Sequence, residues 1–337
     1  MTAPPEGGPG SQTTMPQDGG PASAQVEVTG PAERDPASER NATAVTGSSR
    51  VTGSAERLPF SLLLPVYAGD HAEFLRRAFD SATAEQTRRP DEAVIVRDGP
   101  VGTELEAELA DIQRRSVVPV TVVALPDNVG LARALEAGLA RARTEVIARA
   151  DADDVSQPDR FAVQLPVIEA GADLVGSALA EFSTDEHVTG IVRIMPTEPE
   201  DIVRYARMAD PFNHPTVVFR KQAVADAGGY QDLSLMEDYL LFARMIAGGA
   251  RVRNVPQVLV HYRVGAGAYR RRGGRNMLRS EIALQRALRR EGFTSRWQYL
   301  RNLVVRGGYR LVPVPLRRWA YRSLLVTRRL PGVLRRP

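Results

Sequence analysis

The stretch EVIARADADDVSQPDR, from Glu145 to Arg160, sets Asp151, Asp153 and Asp154 at the end of the apolar run Val146-Ile147-Ala148. Carboxylates this close repel one another, so a chain that keeps them at a strand end has a use for the charge. Such carboxylates bind a hard divalent cation, work as acid and base, or cap the next helix. Magnesium and manganese favour oxygen ligands, often one or two carboxylates completed by substrate phosphates. In extended chain alternate residues share a side, so Asp151 and Asp153 turn toward one pocket. Ser156 or Asp154 is then expected to cap a helix that opens near Pro158.

Further candidates lie downstream. Glu237 and Asp238 open the helical pattern EDYLLFARMIAGG. They are either acids favoured by the helix dipole or a carboxylate poised to take a proton. The four histidines, 71, 187, 214 and 261, are scattered. His214, in NHP ahead of a strand, is either a buried hydrogen-bonding group or one facing a ligand. Arg133, after the Asn128–Gly130 turn, is either a second positive group for a phosphate or part of a solvated helix face.

The elements that position these residues follow from periodicity. Phe60–Pro65, Ala93–Arg97, Val120–Leu125 and Val146–Ala150 are strand-like and apolar on both faces. Helical patterns separate them near Ala72–Gln86, Thr103–Arg115 and Leu131–Arg143, the last with Leu131, Leu135, Gly138 and Leu139 on one face. That alternation predicts a parallel sheet covered by helices. Such sheets bind ligands beyond the carboxyl ends of their strands, where PVYAGD, VRDGP and RADADD fall. Further on, DLVGSALAEF, HPTVVFR and NVPQVLVHYRV are strand-like.

Composition limits the rest. The chain has 337 residues, 43% hydrophobic, with no cysteine, which excludes disulfides, a thiolate nucleophile and Cys-based zinc sites. No apolar run approaches the roughly 18 residues of a membrane span. The start lacks a basic-then-apolar leader pattern, so a cytoplasmic protein is expected. Residues 1–55 are poor in large apolar side chains and are expected to be a disordered arm. Tyr262 to Pro337 holds 20 Arg and 2 Glu, a net +18 in a chain of +4, so Met1 to His261 carries −14. This cationic tail interleaves Arg with Trp297, Tyr299, Trp319 and Tyr321. It suits an anionic membrane surface, a nucleic acid, or a helix pair packed on the domain before it.

The ordered set FSLLLPVY, Asp98-Gly99, NVGLARALEAGL, RADADD with PDRF, NHPTVVFR, GGY and EDYLLFAR resembles the family 2 glycosyltransferases with the GT-A fold, over about residues 58–275. Arg270–Gly274, RRRGG, is similar to the subgroup that builds bacterial exopolysaccharide and O-antigen repeat units. The resemblance implies an α/β domain with a Rossmann-like, mainly parallel sheet over 56–265, followed by a basic helical tail over 266–337. Pro65, Val66 and Tyr67 match the segment along the nucleotide base, and Asp98 the residue that accepts from uracil. Asp151 and Asp153 match the D-x-D that holds Mn2+ or Mg2+, and Asp238 the catalytic base. His214 and Glu237 fall on the acceptor and phosphate side. Ala68 and Arg97 depart from the common Asn and second Asp of the family.

The implied reaction is inverting transfer from a nucleotide-sugar, a UDP-sugar by the uracil match, to a hydroxyl of a polyprenyl-diphosphate-linked saccharide. It would take place peripherally at the inner face of the cell membrane, with no nucleic-acid partner. Without a Q-x-x-R-W motif or membrane spans, a processive synthase is not expected. Two alternatives stand beside it. A nucleotidyltransferase shares the sheet and its acids but needs a Gly-rich basic loop, which LLLPVYAGD lacks. A non-catalytic membrane or nucleic-acid adaptor would not need Asp98, Asp151, Asp153 and Asp238 intact.

Overall fold

The computed structural model describes residues 57–265 and 275–311. The 1–55 arm, Arg270–Gly274, and Trp319 and Tyr321 lie outside these residues. In chain order the first half runs β1 (Phe60–Tyr67), α1 (Ala72–Ala82), β2 (Glu92–Asp98), α2 (Thr103–Arg115), β3 (Val120–Ala124), α3 (Leu131–Arg141) and β4 (Val146–Arg149). Then come β5 (Val155–Ser156), α4 (Arg160–Glu169), β6 (Leu174–Phe182), β7 (Val192–Arg193), α5 (Pro199–Ala206), β8 (Val218–Arg220), α6 (Lys221–Asp226), α7 (Glu237–Ala247) and β9 (Val252–Arg263). Two helices follow, α8 (Arg275–Arg290) and α9 (Arg296–Asn302), the latter continuing as a π-helical turn, Leu303–Gly307.

The strands form one sheet in the order β3-β2-β1-β4-β8-β6-β9-β5, with β7 beside β6. β1 pairs parallel with both β2 and β4, and β2 parallel with β3. From β1 the chain winds outward through β2 and β3, then returns to place β4 on the other side of β1. The carboxyl ends of β1 and β4 therefore flank a topological switch point, where loops diverge and leave a crevice. The acidic stretch starts there.

The sheet is mixed beyond β4. β8 inserts antiparallel between β4 and β6, while β6 and β9 run parallel. HPTVVFR is only partly extended: His214–Thr216 make a 3-10 turn around Pro215, and the strand is Val218–Arg220. The expected cap of the next helix is also corrected. Val155 and Ser156 pair antiparallel with His261 and Val260, so the chain stays extended there and α4 starts only at Arg160, with Asp159 at an N-cap that makes no side-chain bond. Ser156 instead accepts from Arg160 Nη1 at 3.0 Å, and Asp154 from the Arg263 backbone amide at 2.9 Å.

Packing follows the apolar pattern. Phe60, Leu62 and Leu64 of β1 face Leu75, Phe79 and Phe161, and Leu63 on the opposite side faces Leu135 and Leu139. Burying each such side chain fully contributes about 1.5–3 kcal/mol. Gly138 lets α3 lie directly on the sheet, since a Cβ there would collide with Leu63.

The C-terminal layer packs on the same unit. Met277, Leu284, Ala287 and Leu288 of α8 meet Met236, Tyr239, Leu240 and Ala243 around α7. Glu281 is fully buried and paired with Arg306 and Arg310. Over 275–311 the tail is thus a helical layer on the sheet domain. Cutting the chain at Trp297 would leave Glu281 charged and unpaired in the core.

Candidate active site

Four acids meet at the switch point. The β1 end turns back through Asp70, whose carboxylate accepts from the Tyr67 amide at 2.9 Å. Burial above all, and then Asp153 and Asp151, push the Asp70 carboxyl up to about 7. Burial and then Asp151 push Asp153 up to about 6. Asp154 is raised well above its usual range by burial, Asp151 and Asp153. Its Oδ2 is buried without a hydrogen-bond partner.

Arg149 is the counter-charge at the centre. It is the last residue of β4 and is buried. Its Nη1 donates to Asp151 Oδ2 at 2.8 Å, and Nη2 pairs with Oδ1 of the same carboxylate. Its field also reaches His214, Tyr230, Glu237 and Asp238. A second buried arginine pins the frame. Arg160 Nη2 donates to the Arg149 carbonyl at 2.6 Å and to the Pro215 carbonyl at 3.1 Å. Gln164 Nε2 donates to the Thr216 carbonyl at 2.8 Å. Together they hold the turn that carries His214 against the end of β4.

Asp238 reaches the same region from the first turn of α7. A quarter of its side chain is exposed. Oδ1 accepts from the Tyr239 amide at 2.7 Å, and Oδ2 stands 3.7 Å from His214 Nδ1. Burial raises its carboxyl above the usual range, opposed by the Tyr239 amide and Arg149 and assisted by Asp151. Burial, with Arg149 nearby, keeps His214 neutral well below the ordinary imidazole range. On its other side His214 Nε2 shares a 2.9 Å hydrogen bond with the Tyr230 hydroxyl. The Tyr230 amide donates to Glu136 Oε1 at 2.6 Å. His214 is therefore both buried and adjacent to Asp238. Glu237 is pushed up to about 7 by burial and then by Asp238. Leu235, just ahead, has φ 66, a left-handed conformation that costs a branched side chain energy.

The nucleotide-side candidates lie along the strand ends. Pro65 and Val66 are within β1, and Tyr67 at its end is half exposed. Asp98, the last residue of β2, accepts from the Val129 and Gly130 amides at 2.7 and 3.0 Å. Gly99 has φ +82 and a Cβ there would stand 2.6 Å from the Asn128 amide nitrogen, so the turn is built on glycine. Asp98 thus ties β2 to the start of α3. Arg133 lies exposed on α3 and faces Asp232 across 3.8 Å.

Asp151 and Asp153 offer hard oxygen under mutual repulsion, beside the orphaned Oδ2 of Asp154, and this donor chemistry suits Mg2+ or Mn2+. Among the described residues no three acidic or histidine side chains already form a cation cage. Two carboxylates completed by donor phosphates need no such cage.

Sequence periodicity did not single out Arg149, Arg160, Tyr230 or Asp70. Asp70 ends the polar PVYAGD turn and Tyr230 the GGY turn, which are weak signals. Arg149 and Arg160 fall inside the RADADD and PDRF motifs, but nothing in the spacing says that either is buried, since an Arg at a strand end or a helix start ordinarily faces solvent.

The mixed sheet, in the order β3-β2-β1-β4-β8-β6-β9-β5 with acids at the β1/β4 switch point, is a fold of the GT-A type. Residues 61–227 match the profile described as Glycosyl transferase family 2, and the chain belongs to that family. It is 38% identical over 265 residues to the amylovoran biosynthesis glycosyltransferase AmsE of Erwinia amylovora, covering 78% of this chain and 97% of that one. It is 33% identical over 268 residues to the UDP-Gal:alpha-D-GlcNAc-diphosphoundecaprenol beta-1,3-galactosyltransferase of Escherichia coli, covering 79% and 96%. The mannosyltransferase PcManGT of Pyrobaculum calidifontis, solved with GDP-Man and Mn2+, shares the fold at TM-score 0.53 and 17% identity, over 83% of this chain and 77% of that one.

Proposed function

We propose that the protein transfers a hexose, with inversion, from a UDP-sugar to a hydroxyl of a polyprenyl-diphosphate-linked saccharide in the assembly of a bacterial surface polysaccharide. The observation that carries this is the pairing of two acid sets across Arg149: Asp151 and Asp153 at the end of β4, and Asp238 beside His214. One set suits a diphosphate with its cation, the other an incoming hydroxyl. The E. coli relative is named for a UDP-sugar donor and a diphosphoundecaprenol acceptor, and the Erwinia relative for polysaccharide biosynthesis, which supports these substrate classes.

The chemistry balances as a single displacement. The acceptor oxygen forms a bond to the anomeric carbon as the carbon–oxygen bond to the diphosphate breaks. The bonding pair leaves with the nucleoside diphosphate, and Asp238 takes the hydroxyl proton. His214, neutral and tied to Tyr230, limits how far the Asp238 carboxylate can swing. Asp151 and Asp153 are the residues that would hold a divalent cation. When bound there, the cation offsets the charge gained by the departing diphosphate. Attack opposite the leaving group is what inverts the anomeric centre.

Peripheral action at the inner face of the membrane is part of this reading. Among the described residues no helix is long and apolar enough to cross a bilayer.

A thermal-shift screen of nucleotides with Mn2+ tests the donor class: UDP and UDP-sugars should stabilise the protein. Stabilisation by nucleoside triphosphates alone would favour nucleotidyl transfer. In the same experiment Asp153→Ala should lose Mn2+-dependent UDP binding by calorimetry while keeping its melting curve. Unchanged UDP–Mn2+ affinity would remove Asp153 from the cation site.

A further inference from the structure

The C-terminal layer turns its side chains the wrong way round for a solvated helix. Along α9 and the π-helical turn Asn302 and Arg306 point inward. Asn302 Nδ2 donates to the Arg207 carbonyl at 2.9 Å and to Gln285 Oε1 at 3.0 Å, and Arg306 pairs with buried Glu281. The outward face carries large apolar groups around exposed Arg301: Trp297 is 83% exposed, Leu300 51%, Val304 75% and Val305 60%. Their spacing puts all four on one side of the helix. Single exposed apolar residues are ordinary, but a contiguous face of them marks an interaction surface.

The surroundings select the occupant. Arg296 and Arg301 are exposed on the same helix. The two acids beyond Tyr262 are already committed, Glu281 to Arg306 and Arg310, and Glu291 to Arg244. Residues 312–337 add seven Arg and no acid. A second copy docking here by a two-fold axis would set these arginines against their own equivalents. An anionic bilayer accepts both features, with Trp and aliphatic groups at the acyl boundary and Arg at the headgroups.

We propose that the Trp297–Val305 face docks on an anionic lipid bilayer. This deepens the reading of a membrane-borne acceptor and rests on it. The face is braced to the site: the Arg207 and Met208 carbonyls accept from Asn302 and Arg306. Two residues further on is Asp210, within electrostatic reach of Asp238. Docking there brings the Asp238 side of the crevice toward the membrane that holds the acceptor.

The test is co-sedimentation with vesicles of phosphatidylcholine alone or mixed with phosphatidylglycerol. The full chain should bind the mixed vesicles, more weakly as salt rises, since exposed charges are screened over about 10 Å at 0.1 M. The Trp297→Glu, Val304→Glu double variant should lose about tenfold or more of that affinity while keeping its melting curve. In a Trp319→Phe background, Trp297 emission should shift to the blue on anionic vesicles. Three results would overturn the proposal: undiminished vesicle binding by the double variant; blue emission without vesicles, meaning that residues 312–337 cover the face; or a dimer that Val304→Glu dissociates. Transfer to a soluble acceptor analogue is a separate readout of the proposed function, so the two ideas fail independently.

Discussion

Arg149 clasps Asp151 with both terminal nitrogens of its guanidinium, at the point where β4 delivers the acidic loop to the crevice. The clasp offsets part of the repulsion among the crowded carboxylates, and the raised carboxyls of Asp70, Asp153 and Asp154 show what it leaves. One buried cation faces Asp151 directly, and its field reaches Asp153, Asp154 and Asp238. In the proposed reaction the clasp would present Asp151 to a divalent cation with its carboxylate already oriented.

Replacing that cation should be costly. Arg149→Gln is expected to lower stability by about 3–5 kcal/mol, as for other buried pairs that lose one partner. Added Mn2+ should restore part of the loss, because an ion that binds only the native state stabilises it. Denaturant melts with and without Mn2+ check this. A variant as stable as the parent would show that Arg149 is not the counter-charge.

Asp238→Asn should keep donor affinity by calorimetry but lose turnover by about 10²–10⁴-fold. With Asp238 as the base, its carboxyl, raised by burial, should set the pH profile of the parent. A base must be ionised to accept a proton, so the rate should climb with pH and level off above the ordinary carboxylate range. Near-normal turnover in the variant would move the base elsewhere, with Glu237 next.

Glu237 gives a stability prediction with a defined sign. Its carboxyl is raised from 4.5 to about 7 in the fold, so the native state holds the proton more tightly than the unfolded chain. Stability is therefore lost as pH rises from 4.5 through about 7, as the buried group ionises. Glu237→Gln should be more stable than the parent by about 2–3 kcal/mol at pH 8, and equal to it near pH 4. Melting curves across that range decide it. A constant difference at all pH values would mean that packing, not charge, is responsible. Such a cost in the parent is expected where function needs a buried acid.

The sequence by itself determined the β/α alternation from Phe60 to Arg149 and the helix at Glu237, because strand and helix periodicities are local and survive without knowledge of the partner. It also put Asp70, Asp98 and Asp151 at strand ends, since a parallel sheet sends its ligand loops to one edge. The tertiary structure alone decided what joins them. Arg160 reaches Pro215 across 55 residues, and Arg263 reaches Asp153 across 110. Neither pairing leaves a trace in spacing or composition. The antiparallel insertion of β8, the His214–Tyr230 bond and the outward apolar face of α9 are of the same kind. Each depends on which surfaces meet in space, and a one-dimensional pattern of apolar residues cannot distinguish a helix that buries its apolar face from one that displays it.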